Sequence, residues 1–178
     1  MTALASPLES LRGAVLEIGP GRHPHLPLDP NDPWIGVEPD QAAARWLESQ
    51  VGGHRVTVLA VGAEELPVPT GSIDTVVTSH ALCSVRDPAQ VLREVLRVLR
   101  PGGRFTFEEH VGSPRGTVLR IAQDALSPIT RLIDGCRVNR DTGDLISAAG
   151  FQRVELQSFT RPGPLGSAIP HVAGSAYC

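Results

Sequence analysis

Glu17, Gly19 and Gly21 stand at alternate positions where a short apolar run, Ala14 to Ile18, gives way to a turn. A second acid, Glu38, closes the next apolar run, Trp34 to Val37. Glycines at such a turn permit positive φ and let a ligand approach the backbone closely. An acid about twenty residues further on can accept both hydroxyls of a ribose. A pyrophosphate would want the fuller G-x-G-x-x-G opening a helix whose N-terminus faces it. Pro24 takes the place of that last glycine, and prolines at 24, 27, 30 and 33 exclude a long helix, because each interior proline removes a donor and clashes with the preceding turn. The pattern disfavours a dinucleotide and suits a nucleoside cofactor without phosphates. The bland alternative is a glycine turn beside a solvated acid.

Other groups invite chemistry less directly. His23 and His25 lie near Asp29 and Asp32, yet no further spaced histidine or cysteine completes a metal set around them, so no metal is expected. Cys83, Cys136 and Cys178 are odd in number and lack C-x-x-C spacing, which suits buried thiols in a reducing cytoplasm better than a disulfide framework. All sixteen basic residues are arginine, so acid–base work falls to histidines and carboxylates. A net charge of −3 and 4% aromatic residues argue against nucleic acid, which asks for a basic face or stacking rings. No window approaches a membrane span, and the segment from Met1 to Gly13, which carries Glu9, has no apolar targeting stretch. A cytoplasmic protein without membrane contact is expected.

These residues need elements to hold them. Strands are predicted at 14–18, 34–37, 55–61, 73–79 and 104–111, with helices at 41–49, 88–100, 116–132 (broken near Pro128) and 141–149. The helix at 88–100 has the clearest pattern, with apolar positions 91, 92, 95, 96, 98 and 99 on one stripe and Pro101-Gly102-Gly103 stopping it. Two further strands, at 151–160 and about 167–177, lack a helix between them, so one of them should be antiparallel. Strand–helix alternation with short connections predicts an α/β fold, one mostly parallel sheet with helices on both faces, in a single domain over residues 1–178. In open sheets of this type ligands bind beyond the carboxyl ends of the strands. That rule gathers the glycine turn, Glu38, Ser79, His80, Glu109 and His110 around one crevice.

Four segments together resemble the class I S-adenosylmethionine-dependent methyltransferases: Leu16 to Gly21, Gly36 to Pro39, Ala63 to Pro67 and Leu99 to Gly103. The resemblance implies a Rossmann-like fold with a seven-stranded sheet, S-adenosylmethionine as cofactor and S-adenosylhomocysteine as product. It also implies that Glu17, Gly19 and Gly21 contact the methionine end and Glu38 the ribose. Gly62, Ala63 and Glu64 would flank the adenine, and Ser79 and His80 the sulfonium side. In the second half, Leu82 to Val85, Glu109 to Val111, Asp134 to Cys136, Phe151 and Pro170 to Val172 are similar to the microsomal alkyl-thiol methyltransferase family. That similarity implies a small-molecule thiol as methyl acceptor. Two positions depart from the pattern: His23 stands at the usual third glycine of the turn, and Gly62 at an acid beside the adenine.

Methyl transfer is an in-line displacement at a carbon already activated by the sulfonium, so the protein has mainly to align donor and acceptor and exclude water. A thiol acceptor adds the need for a base or positive field, since the thiolate is the nucleophile. The candidates are His110, His80 and Asp134, with a structural histidine and a capping acid as the plain alternatives for His110 and Asp134. Transfer to oxygen or carbon of a natural-product intermediate, and a non-catalytic accessory protein with the same fold, remain alternatives, as do monomer and homodimer.

Overall fold

The computed structural model describes residue 8 and residues 11–51, 55–163 and 168–178, apart from the side chain of Asp134. Most of the N-terminal segment read for targeting signals, and residue 167 at the start of the last predicted strand, lie outside the described residues. The elements run β1 (Val15–Ile18), β2 (Pro33–Val37), α1 (Gln41–Gln50), β3 (Arg55–Leu59), β4 (Ile73–Ser79) and α2 (Pro88–Val98). There follow β5 (Leu99–His110), α3 (Val118–Asp134), α4 (Thr142–Ser147), β6 (Arg153–Pro162) and β7 (Ala168–Tyr177).

The seven strands of the described residues join one sheet in the order β3-β2-β1-β4-β5-β7-β6. The first five are parallel, and β7 runs antiparallel to both of its neighbours. The order reverses direction at β1, and the crevice beyond the carboxyl ends of β1 and β4 is the ligand position that such a reversal creates. The right-handed rule puts α1, which joins β2 to β3, and α2, which joins β4 to β5, on opposite faces, because the two connections run in opposite directions along the sheet.

Strand alternation separates two cores. Leu16, Ile18 and Val76 face a large cluster that includes Val91, Leu92, Val95 and Val98 of α2, while Val15, Val77 and Trp34 face a smaller one with Leu8 and Leu11. The proline-rich stretch after β1 forms no helix and crosses to β2 as turns and irregular chain. Asp87 caps α2 through the Gln90 N–H at 3.0 Å, with Pro88 in the first turn.

The expected break of α3 at Pro128 does not occur; the helix is continuous from Val118 to Asp134. Both Pro128 and Asp124, whose carbonyl loses its partner, lie on an exposed face where solvent reaches them, so the missing bond is tolerated. Polar ties hold α3 down: Gln123 accepts the Ser113 N–H at 2.7 Å and donates to Val138 O at 3.0 Å. Its large apolar side chains Val118, Ile121, Leu126, Ile129, Leu132 and Ile133 are exposed. No helix among the described residues is long and apolar enough to cross a membrane.

Candidate active site

A cavity of about 360 Å³ opens beyond the carboxyl ends of β1, β2 and β4, lined by Gly19, Glu38, Gly62, Ala63, Glu64 and His80 among others. Gly19 has a φ of 66° and donates its N–H to Val37 O at 2.9 Å, which ties the turn to the end of β2. A Cβ on Gly19 would come within 2.9 Å of the Ala81 Cβ, so only glycine leaves this wall open. Glu38 is nearly buried, with Oε1 accepting the Asp40 N–H at 3.1 Å. The space a side chain at Gly62 would need holds the Glu64 carboxylate, 2.9 Å from the ideal Cβ position. Glu64 therefore puts a carboxylate beside the cavity where residue 62 supplies none.

Three residues expected at the cofactor do not line this cavity: Glu17, Gly21 and Ser79. Glu17 is buried, and its oxygens accept the His25 N–H at 2.7 Å, the Trp34 Nε1–H at 3.3 Å and a bond from His25 Nδ1 at 2.7 Å. It folds the proline-rich loop back under the glycine turn. The hydrogen bond to Glu17 raises the His25 pKa above its ordinary value, against the opposing effect of burial.

Beyond β4 the chain turns sharply at His80, a non-glycine residue with a φ of 55°. Such backbone is costly and persists only where its surroundings over-determine it. Here the His80 N–H donates to Glu108 O at 2.8 Å, and the next two N–H groups, of Ala81 and Leu82, donate to the Glu109 carboxylate at 3.1–3.2 Å. Glu109 is fully buried, and that burial pushes its carboxyl up to about 8 despite these bonds.

Strand alternation sends Glu108 and His110 to the face opposite Glu109. There His110 lies directly across the antiparallel ladder from His171, their ring centroids 4.6 Å apart. The His80 ring completes the group at 4.4 Å from His110 and 5.3 Å from His171. Burial lowers the His171 pKa and, helped by the neighbouring histidines and Arg161, brings that of His80 down to about 4. Glu108 stands 3.9 Å from His80 Nε2 and pairs with Arg161. Cys136 Sγ approaches His110 Nδ1 at 3.9 Å, and Cys83, buried, donates to His80 O at 3.3 Å. The hydrogen bond from the Cys136 thiol and then burial push the Cys83 thiol far up.

A second cavity, of about 690 Å³, adjoins this cluster and is lined by Ser113, Thr117, Leu119, Asp141, Phe159 and His171 among others. His80 thus borders the first cavity and His171 the second. The expected pair His80 and His110 is brought together. Asp134 ends α3, and its side chain lies outside the described residues. His171 and Glu108 were not among the sequence candidates: His171 stands 61 positions from His110, and only the strand register joins them.

Residues 16–107 match the methyltransferase domain family. The chain belongs to the S-adenosylmethionine-dependent methyltransferases. It is 32% identical to the human (Homo sapiens) thiol S-methyltransferase TMT1A over 92% of this chain and 70% of that protein. Against the thiol S-methyltransferase TMT1B of Rattus norvegicus it is 32% identical over 97% of this chain and 76% of the relative. Among solved structures, a methyltransferase from Methanosarcina mazei superposes with a TM-score of 0.71 at 20% identity, covering 94% of both chains. The protein is a class I methyltransferase related to the thiol S-methyltransferases, and its cofactor is S-adenosylmethionine. The first cavity fits that cofactor: it offers a glycine wall a Cβ would close, and a nearly buried acid, Glu38, at the end of β2.

Proposed function

We propose that the protein methylates a small-molecule thiol. The observation that carries the reading is the cluster of His80, His110 and His171 between the cofactor cavity and a second, larger one that the cofactor does not need. S-adenosylmethionine, when bound, supplies a methyl group already activated on a sulfonium. Glu38 holds the ribose hydroxyls, and Gly62, Ala63 and Glu64 flank the adenine. Glu17 acts from behind, by fixing the loop that supports the Gly19 turn.

At the acceptor end a thiol has a pKa near about 8.5, so it must lose its proton to become a nucleophile. In this reading an imidazole of the group takes that proton. His80, at the sulfonium side, borders the first cavity and His171 the second, while His110, the base expected from the sequence, lies between them and lines neither. Phe159 and Leu119 give the second cavity apolar walls, while Asp141 and Thr117 offer polar contacts at one side. Such a cavity suits a small apolar molecule with one polar handle. Relatives named as thiol S-methyltransferases support the same acceptor.

The test is a mass-spectrometric screen of the purified protein with S-adenosylmethionine against alkyl thiols, phenols and catechols. A methyl thioether formed together with S-adenosylhomocysteine is the expected outcome. Products methylated only on oxygen or carbon overturn the thiol reading.

A further inference from the structure

We propose that His80, His110 and His171 form a binding site for a Zn2+-class transition-metal ion at the acceptor end of the cofactor cavity. Each histidine offers a ring nitrogen, and the three lie within 4.8 Å of one another. Tetrahedral bonds of about 2.0–2.1 Å place ligand nitrogens roughly 3.4 Å apart, so ring rotations of about an ångström close the set. Three imidazoles suit zinc, copper, nickel and iron, and three protein ligands with one position open is the arrangement of catalytic rather than structural zinc.

One of the three rings, His171, already makes the bond that a ligating histidine requires. His171 Nδ1 lies 2.8 Å from Ile169 O, a carbonyl that can only accept, so Nδ1 carries the proton and Nε2 keeps its lone pair. A ligating histidine almost always donates its second N–H in this way, or to a carboxylate. Glu108 lies 3.9 Å from His80 Nε2, an ion-pair distance longer than a hydrogen bond, and the same oxygen pairs with Arg161. The His80 backbone, held at a φ of 55° by Glu108 O and the Glu109 carboxylate, brings its ring towards the two strand histidines.

A second group, Cys83, His110 and Cys136, has similar spacing and shares His110. Neither cysteine lines either cavity, and Cys83 already donates to His80 O. The histidine group instead touches both cavities, through His80 and His171. With all three imidazoles ligated, none is left as a base, and the ion takes over the deprotonation of the acceptor. A thiol taking the ion's open position binds as thiolate, its proton passing to solvent, because a coordinating thiol is deprotonated outright. This last step rests on the thiol reading; the metal site does not.

The untagged full-length protein is stripped with chelator and then dialysed against Zn2+ or Co2+, and metal content is measured by mass spectrometry. One ion per chain is expected, with visible Co2+ bands of tetrahedral intensity and a rise in Tm on Zn2+ addition. His110→Asn and His171→Asn should each weaken binding at least tenfold and abolish the Tm rise. Their cofactor affinity, read by calorimetry, reports that the fold is intact. A wild-type protein that takes up no ion, or one whose uptake survives both substitutions, overturns the proposal whatever the acceptor proves to be. Alkyl thiol added to the Co2+ protein should produce a near-ultraviolet sulfur-to-cobalt band. A bound ion without that band removes the thiolate step and leaves the metal site standing.

Discussion

Glu109 and Leu82 are joined by bonds from one backbone N–H to both oxygens of a buried carboxylate, at 3.1 and 3.2 Å, and this contact sets the turn that carries His80. Ala81, which lines the first cavity, donates to the same carboxyl group at 3.2 Å. One side chain on β5 therefore shapes the wall of the first cavity and aims a ring of the histidine cluster.

Glu109→Ala leaves two buried N–H groups without a partner, each costing about 1–3 kcal/mol. For a chain of this length each kcal/mol lowers Tm by about 2–4 °C. The expected variant melts several degrees lower by calorimetry and binds S-adenosylmethionine more weakly, because the strained His80 turn relaxes. Glu109→Gln keeps an acceptor and should lose less on both counts. Wild-type Tm and affinity in Glu109→Ala would show that the turn holds itself.

Glu38 tests the cofactor assignment. Hydrogen bonds to a charged group are worth about 1.5–3 kcal/mol, so Glu38→Ala should raise the Kd for S-adenosylmethionine roughly ten- to hundredfold. Glu65→Ala, on an exposed side chain nearby, should leave it unchanged. Equal effects from the two substitutions would remove Glu38 from the ribose.

Strands β1 and β2 were legible because apolar runs ended at glycine or acid, β4 because its run was β-branched, and α2 because its stripe and its caps agreed. The proline stretch was legible as a non-helix. Glu17 was harder, because the spacing that marks a cofactor contact is met equally by an acid that folds a loop: its partners His25 and Trp34 are close in sequence but carry no pattern. His171 was out of reach for a different reason. Its pairing with His110 depends on an antiparallel register set by the whole β5–β7 ladder, and no local periodicity encodes it. Pro128 misled because the rule against interior proline assumes that the carbonyl it frees is shut away from water.

Arg120 ties α3 to the wall of the second cavity. It is 12% exposed and donates to Asp141 Oδ1 at 2.6 Å, to Ser113 O at 3.1 Å and to Asp124 at 3.2 Å. Because Ser113 and Asp141 line that cavity and not the first, Arg120→Ala should raise KM for the methyl acceptor several-fold while leaving cofactor affinity as it was. Amide hydrogen exchange should quicken in α3 and residues 112–115 and not in β1 or β4. Matched losses of acceptor and cofactor binding would mean that the two cavities are not separately supported.

The pair of His25 and Glu17 gives stability a pH dependence of definite sign. Folding raises the His25 pKa above its ordinary 6.5, because the protonated ring bonds the buried carboxylate. A histidine raised on folding contributes stability that is complete below its unfolded pKa and is lost as pH rises through the folded one. In His25→Ala, Glu17 still accepts from the backbone N–H of residue 25 and from Trp34, so the loop keeps its path. The Tm difference between wild type and His25→Ala should therefore be greatest below pH 6.5 and shrink steadily above it. Scanning calorimetry from pH 5.5 to about 9 reads it directly. A difference that stays constant across that range would mean that the bond is made by the neutral ring and that no charge pair forms.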